Sequence, residues 1–145
     1  MFKKILVPSD GSKLAHHAAE YAVRLAKVHG ATVVGLYVID PFPYIGIGDA
    51  SAAGLQAYMA EAQAAADRAL GDIRQTCEAG GIAFAGDTIE RNATYEGILE
   101  TATAEGCDLI VMGSHGRKGV QALILGSVAQ KVLTHAKMPV LIVKP

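Results

Sequence analysis

A chain of 145 residues with 51% hydrophobic content is sized for one domain built on one core, so a second domain is not expected. Its 13 Lys+Arg against 14 Asp+Glu leave a formal charge of -1, which excludes a broad electrostatic footprint for nucleic acid or an anionic membrane; any polyanion must be held locally. No apolar run approaches the ~20 residues that span a bilayer, and Met1-Phe2-Lys3-Lys4-Ile5-Leu6-Val7 meets Pro8 too soon for a signal peptide, so cytoplasmic residence is the default expectation.

Short β-branched runs alternate with longer helical patterns along the chain, the pattern of βαβ units with a parallel sheet covered on both faces. Ile5-Leu6-Val7, closed by Pro8, is the first strand, and Leu14, Ala18, Tyr21, Ala22 and Leu25 then mark a helix that Gly30 stops. Thr32 to Ile39 is apolar on both faces, as a central parallel strand should be. From Asp40 to about Gly54, Pro41, Pro43, Gly46 and Gly48 break any period and predict a long loop. An alanine-rich helix follows with Tyr58, Ala62, Ala66, Ala69, Ile73 and Cys77 on one stripe, ended by Gly80-Gly81.

A third strand is predicted near Ile82 to Glu90, then a helix N-capped by Thr94 and closed by Gly106, with Tyr95, Ile98, Leu99 and Ala102 on one face. Leu109-Ile110-Val111-Met112 is the fourth strand. A glycine-punctuated segment leads into a last helix with Val128, Val132, Leu133 and Ala136 on its buried side, and Val140-Leu141-Ile142-Val143 is the final strand. The strand orders 2-1-3-4-5 and 3-2-1-4-5 are both right-handed solutions. Asp87 and Glu90 in the third strand suit a sheet edge and favour 3-2-1-4-5.

In such a sheet, ligands bind beyond the carboxyl ends of the strands where the order switches direction, here between the first and fourth strands. The segments leaving those ends are Pro8-Ser9-Asp10-Gly11-Ser12 and Gly113-Ser114-His115-Gly116-Arg117-Lys118-Gly119. Phosphate oxygens reach backbone N–H groups most easily where no side chain intervenes, which gives Gly113, Gly116 and Gly119 a reason to be glycine. Gly126-Ser127 opens the last helix, whose N-terminal N–H groups attract anions. Arg117 is a candidate phosphate partner, and Asp10 is placed to accept ribose hydroxyls across the crevice.

The spacing Gly113-x2-Gly116-x9-Gly126-Ser127 resembles the ATP-binding signature of universal stress proteins. The opening Lys4-Ile5-Leu6-Val7-Pro8-Ser9-Asp10-Gly11-Ser12 and the close Met138-Pro139-Val140-Leu141-Ile142-Val143 are similar to the same family's ends. The resemblance implies a Rossmann-like α/β fold with a five-stranded parallel sheet of order 3-2-1-4-5, an ATP site and a homodimer. It implies Asp10, with Ser9 beside it, at the ribose, Pro8, Val38 and Met112 at the adenine, and Gly113, Gly116, Gly126, Ser127 and Val128 at the phosphates and ribose. Whether a magnesium or manganese ion accompanies the ATP stays open. The alanine-rich 50s and 60s carry no family signature.

Other chemistries fit less well. Lys118 and Gly119 stand where a Walker A loop beginning at Gly113 needs Gly and Lys, and Gly46-Ile47-Gly48 does not extend to G-x-G-x-x-G because position 51 is Ser. Asp10, Ser114 and His115 compose a hydrolase triad on paper, but no G-x-S-x-G elbow surrounds Ser114. His16 and His17 project about 100° apart on a helix and do not share a metal. Cys77 and Cys107 lie in apolar-periodic stretches without a C-x-x-C pattern and read as buried thiols.

The expectation is an ATP-binding regulatory protein of the stress response, homodimeric through its last strand, with no nucleic-acid or membrane partner. A slow ATPase or nucleotide-dependent transferase on the same fold is the alternative, and no catalytic residue is assigned. The site residues are Pro8, Ser9, Asp10, Val38, Met112, Gly113, Gly116, Arg117, Gly126, Ser127 and Val128.

Overall fold

The computed structural model describes residues 1–41, 51–117 and 124–145. The elements run β1 (Lys4–Pro8), α1 (Lys13–His29), β2 (Thr32–Ile39), α2 (Ala52–Gly80), β3 (Phe84–Glu90), α3 (Thr94–Ala104), β4 (Leu109–Gly113), α4 (Ser127–His135) and β5 (Val140–Val143). The five strands are parallel and ordered β3-β2-β1-β4-β5. The predicted loop falls mostly at 42–50, and Lys118 and Gly119 at 118–123; both stretches lie outside the described residues.

Strand periodicity sorts the core into two layers. Ile5, Val7, Val33, Leu109 and Val111 point to one face of the sheet, where α1 brings Ala18, Ala19, Ala22 and Ala26 and α2 brings Ile73 and Cys77. Leu6, Val34, Leu36, Ile110 and Met112 point to the other, against Ile98 and Ala102 of α3 and Ala129 and Val132 of α4. Each fully buried Ile, Leu or Val contributes about 1.5–3 kcal/mol of transfer free energy, so the two layers fix the sheet between its helices. β3 is the exposed edge that Asp87 and Glu90 predicted, with Ala85, Gly86 and Asp87 facing solvent.

Some helix details differ from the sequence reading. The buried stripe of α1 runs through Leu14, Ala15, Ala18, Ala19, Ala22, Val23 and Ala26, and Tyr21 lies outside it. There Tyr21 packs edge-on against His17 and under the Arg24 guanidinium. Thr94 does not cap α3: Ala93 is the cap residue, and its carbonyl accepts the Gly97 N–H at 3.3 Å. The chain is set there by the Arg91 N–H donating to Ile39 O at 3.0 Å, and the cap position falls at Ala93, one residue before the Thr94 hydroxyl. Leu133 is exposed on α4, where Ala129 and Val132 carry the burial.

The carboxyl ends of β1 and β4 are positioned by bonds at their opposite ends. Asp108, just before β4, accepts the N–H groups of Lys3 (3.1 and 2.9 Å) and Lys4 (3.1 Å) at the start of β1. Partial burial works against its charge, but those donors outweigh it and hold the carboxyl below the usual aspartate range. The register this sets pairs Ile5 with Leu109 and Leu6 with Ile110, so both strands finish near the same level.

Candidate functional site

Beyond β1 the chain turns sharply, and each polar side chain there serves a backbone N–H. Ser9 Oγ accepts from Gly11 (3.0 Å), Asp10 Oδ1 from Ser12 (2.9 Å) and Ser12 Oγ from Ala15 (3.1 Å), the last being the N-cap of α1. Gly11 sits at φ +82°, a conformation that L side chains rarely adopt. The second Asp10 oxygen, Oδ2, reaches across to accept the Arg117 N–H at 2.7 Å. The Arg117 guanidinium in turn donates to Tyr37 Oη of β2 at 3.3 Å.

The loop leaving β4 is held from its other side as well. Ser114 is buried; its N–H donates to Val143 O at 2.9 Å, and its carbonyl accepts the Gly126 N–H at 2.7 Å. These loops and the first turn of α4 enclose a cavity of about 690 Å³, within the range of small-molecule sites. Pro8, Ser9, Asp10, Val38, Met112, Gly113, Gly116, Arg117, Gly126, Ser127 and Val128 all line it. The structure therefore brings together the eleven site residues assigned from the sequence, while Gly119 lies outside the described residues.

It also adds residues that the sequence did not mark. Tyr37, Asp40, Tyr58, Thr94, Ile98 and Leu125 complete the wall, and the Tyr58 hydroxyl donates to Asp40 O at 2.8 Å. The sequence pattern marks Tyr58 only as part of a packing stripe and Thr94 only as a cap. Their approach to the cavity depends on where α2 and α3 cross the sheet, which periodicity does not reveal.

Two features give the cavity walls their chemistry. The first is the N-terminus of α4: its cap is Gly126, which has no side chain to accept the first-turn N–H groups, and no acidic residue stands in that turn. Ser127, Val128 and Ala129 all face the cavity, so those donors and the positive end of the helix dipole open onto it. The caps of α1 and α2, by contrast, are serines whose hydroxyls accept such a donor.

The second feature is the end of β2. Thr32 N–H donates to Lys3 O and Leu36 O accepts from Ser9, so even-numbered residues of β2 turn their backbone toward β1. Val38 is the next on that side, but β1 ends at Pro8, opposite Leu36. The Val38 N–H and C=O therefore face the cavity as an adjacent donor and acceptor.

The glycines have a reason to be glycine before any ligand arrives. A Cβ on Gly113 would lie 3.0 Å from Leu14 Cγ, one on Gly116 2.5 Å from Asp10 Oδ2, and one on Gly126 3.1 Å from Ser114 O and 3.2 Å from His115 Cα. Neither Gly116 nor Gly126 has a positive φ. Close approach of protein atoms leaves little room for a side chain at either position. The hydrolase geometry is not assembled: Ser114 Oγ lies 3.2 Å from His115 Nδ1, but both Asp10 oxygens go to backbone donors rather than to the His115 ring.

The profile of the universal stress protein family matches residues 1–144. The chain belongs to that family. Universal stress protein MJ0531 of Methanocaldococcus jannaschii is 34% identical over 144 residues, covering 99% of this chain and 83% of the relative. The solved structure of MJ0577 from the same organism matches with a TM-score of 0.85 at 28% identity, over 100% of this chain and 97% of that one. A universal stress protein from Archaeoglobus fulgidus, solved in complex with dAMP, has the same fold (TM-score 0.66, 22% identity, 97% and 96% of the two chains). The strand order 3-2-1-4-5 of this universal stress protein is thus the one the family resemblance implied.

Proposed function

We propose that this universal stress protein binds ATP in the cavity between the ends of β1 and β4 and works as a regulatory nucleotide-binding protein rather than an enzyme. The observation that carries the reading is the pairing of two unlike walls on one cavity: the open N-terminus of α4 at one side and the free backbone edge of Val38 at the other. An adenine ring needs an adjacent donor and acceptor, and phosphates need convergent N–H groups. In this reading Val38 and Pro8 hold the base with Met112 beneath it, Asp10 and Ser9 face the ribose, and Gly113, Gly116, Arg117, Gly126, Ser127 and Val128 hold phosphate and ribose oxygens. The dAMP complex of the Archaeoglobus relative supports a nucleotide as the ligand class.

Binding without rapid turnover follows from the same groups. Asp10 already accepts two N–H bonds and Ser114 is buried, so neither stands ready as a general base or nucleophile toward a terminal phosphate. Donors fixed before the ligand arrives stabilise the bound ground state. Among the described residues no three His, Cys, Asp or Glu side chains converge on one point. A magnesium or manganese ion on the phosphates would then draw its ligands mainly from phosphate oxygens and water.

Mass analysis of small molecules released on denaturing the purified protein tests the ligand class, with ATP the expected species. A multiple-turnover assay tests the rest, since steady phosphate release near the ~10 s⁻¹ typical of enzymes would overturn the binding-protein reading.

A further inference from the structure

We infer that Asp10 is a positioning residue that holds the loop after β4 in its receiving shape, and that Gly116 is glycine because the Asp10 carboxylate occupies the space of its side chain. The inference rests on the reading of the cavity as a nucleotide site and adds a role to a residue that the reading assigns only to the ribose.

The carboxylate joins two segments that are 107 positions apart. Oδ1 accepts the Ser12 N–H at 2.9 Å and Oδ2 the Arg117 N–H at 2.7 Å. An ionised carboxylate only accepts, so it satisfies both donors at once, and the 2.7 Å bond has the short length of a charge-assisted contact. An amide in its place would present a donor to one of the two N–H groups.

Gly116 lies directly before the bonded amide. Its Cβ position is 2.5 Å from Oδ2, closer than real Cβ contacts come, while its φ imposes no need for glycine. The neighbour there is a charged group that itself holds the loop, so an added methyl would displace the bond that shapes residues 114–117. The Arg117 guanidinium reaching Tyr37 Oη at 3.3 Å anchors the same residue at the end of β2. The loop is thus clasped to the ends of β1 and β2 before a ligand is present, which lowers the ordering cost of binding.

The test uses the full chain freed of nucleotide, with circular dichroism to confirm folding. Amide hydrogen exchange at Arg117 should be protected in the parent, at least tenfold faster in Asp10→Ala, and intermediate in Asp10→Asn, whose single amide oxygen serves one of the two donors. Gly116→Ala should accelerate exchange about as much as Asp10→Ala, and the double variant should resemble either single one, because both remove the same contact. ATP affinity measured on the same proteins should fall at least tenfold in each variant and again without additivity. Unchanged Arg117 exchange in a folded Asp10→Ala protein, or losses that simply multiply in the double variant, would overturn the positioning role. Should exchange follow the predicted pattern while the parent fails to bind ATP, the clasp stands and the nucleotide reading falls.

Discussion

Gly126 N–H donates to Ser114 O at 2.7 Å, so the residue that opens α4 rests directly on the loop that leaves β4. The contact changes what a substitution at Gly126 reports. From sequence alone, Gly126→Val would isolate the approach of a phosphate. In the structure its Cβ would stand 3.1 Å from that same carbonyl and 3.2 Å from His115 Cα. Gly126→Val is therefore expected to destabilise the nucleotide-free protein by about 1–3 kcal/mol, the usual cost of overpacking, as well as to abolish ATP binding. Thermal unfolding without nucleotide checks it. Ser127→Ala is the selective probe, because the Ser127 side chain is exposed at the cavity. It should leave the unfolding temperature unchanged and weaken ATP binding by about 1 kcal/mol, the worth of one hydrogen bond.

We propose that the chain forms the homodimer expected from its sequence, and the backbone of β5 offers the test. Pro139 O accepts from Ile110 and Val143 O from Ser114, so odd-numbered residues face β4, and Val140 and Ile142 turn their N–H and C=O groups to the open edge. An edge of that kind pairs readily with a second copy. Ile142→Pro deletes one outward donor without removing a bond to β4. Sedimentation should show a parent dimer at micromolar concentration and a shift toward monomer in the variant; a parent that sediments as a monomer would contradict the proposal.

Asp108 predicts an acid-sensitive link at the far end of the sheet. Its folded pKa is lowered, so its bonds to Lys3 and Lys4 contribute fully above the unfolded aspartate value of about 3.9 and are lost as pH falls through the folded value. Solvent reaches the group, so the loss on Asp108→Asn at neutral pH should be only about 1 kcal/mol. Between pH 5 and pH 3 the parent should lose stability more steeply than Asp108→Asn. Parallel unfolding profiles over that interval would show that these bonds do not govern the acid limb.

Both thiols should be inert in the folded protein. Cys77 and Cys107 are buried, and burial pushes each thiol up to about 11. Reaction requires the thiolate and access to it. An alkylating reagent at pH 7.5 should leave both unmodified in the native state and label both in denaturant, as mass measurement would show.

Much of the architecture was legible because it follows from local chemistry. The two acidic residues of β3 placed that strand at the edge, and the alternation of βα units then placed the switch between β1 and β4. The site loops followed from that one topological step. What stayed hidden depends on distant residues meeting. The Asp10 to Arg117 bond, the seat of Gly126 on Ser114 and the inclusion of Tyr58 and Thr94 in the cavity wall each require tertiary geometry. The same limit explains the glycines: their spacing picks out residues that share the cavity wall, yet the atoms crowding Gly113, Gly116 and Gly126 are the protein's own.

Titration calorimetry of ATP into the nucleotide-free parent protein tests the nucleotide site most directly. The account predicts saturable binding of about one ATP per chain, and a gain of about 2.7 kcal/mol in unfolding stability when ATP is present at 100 times its Kd. A folded protein that shows no saturable heat and no stabilisation up to millimolar ATP would contradict the assignment of the cavity between β1 and β4.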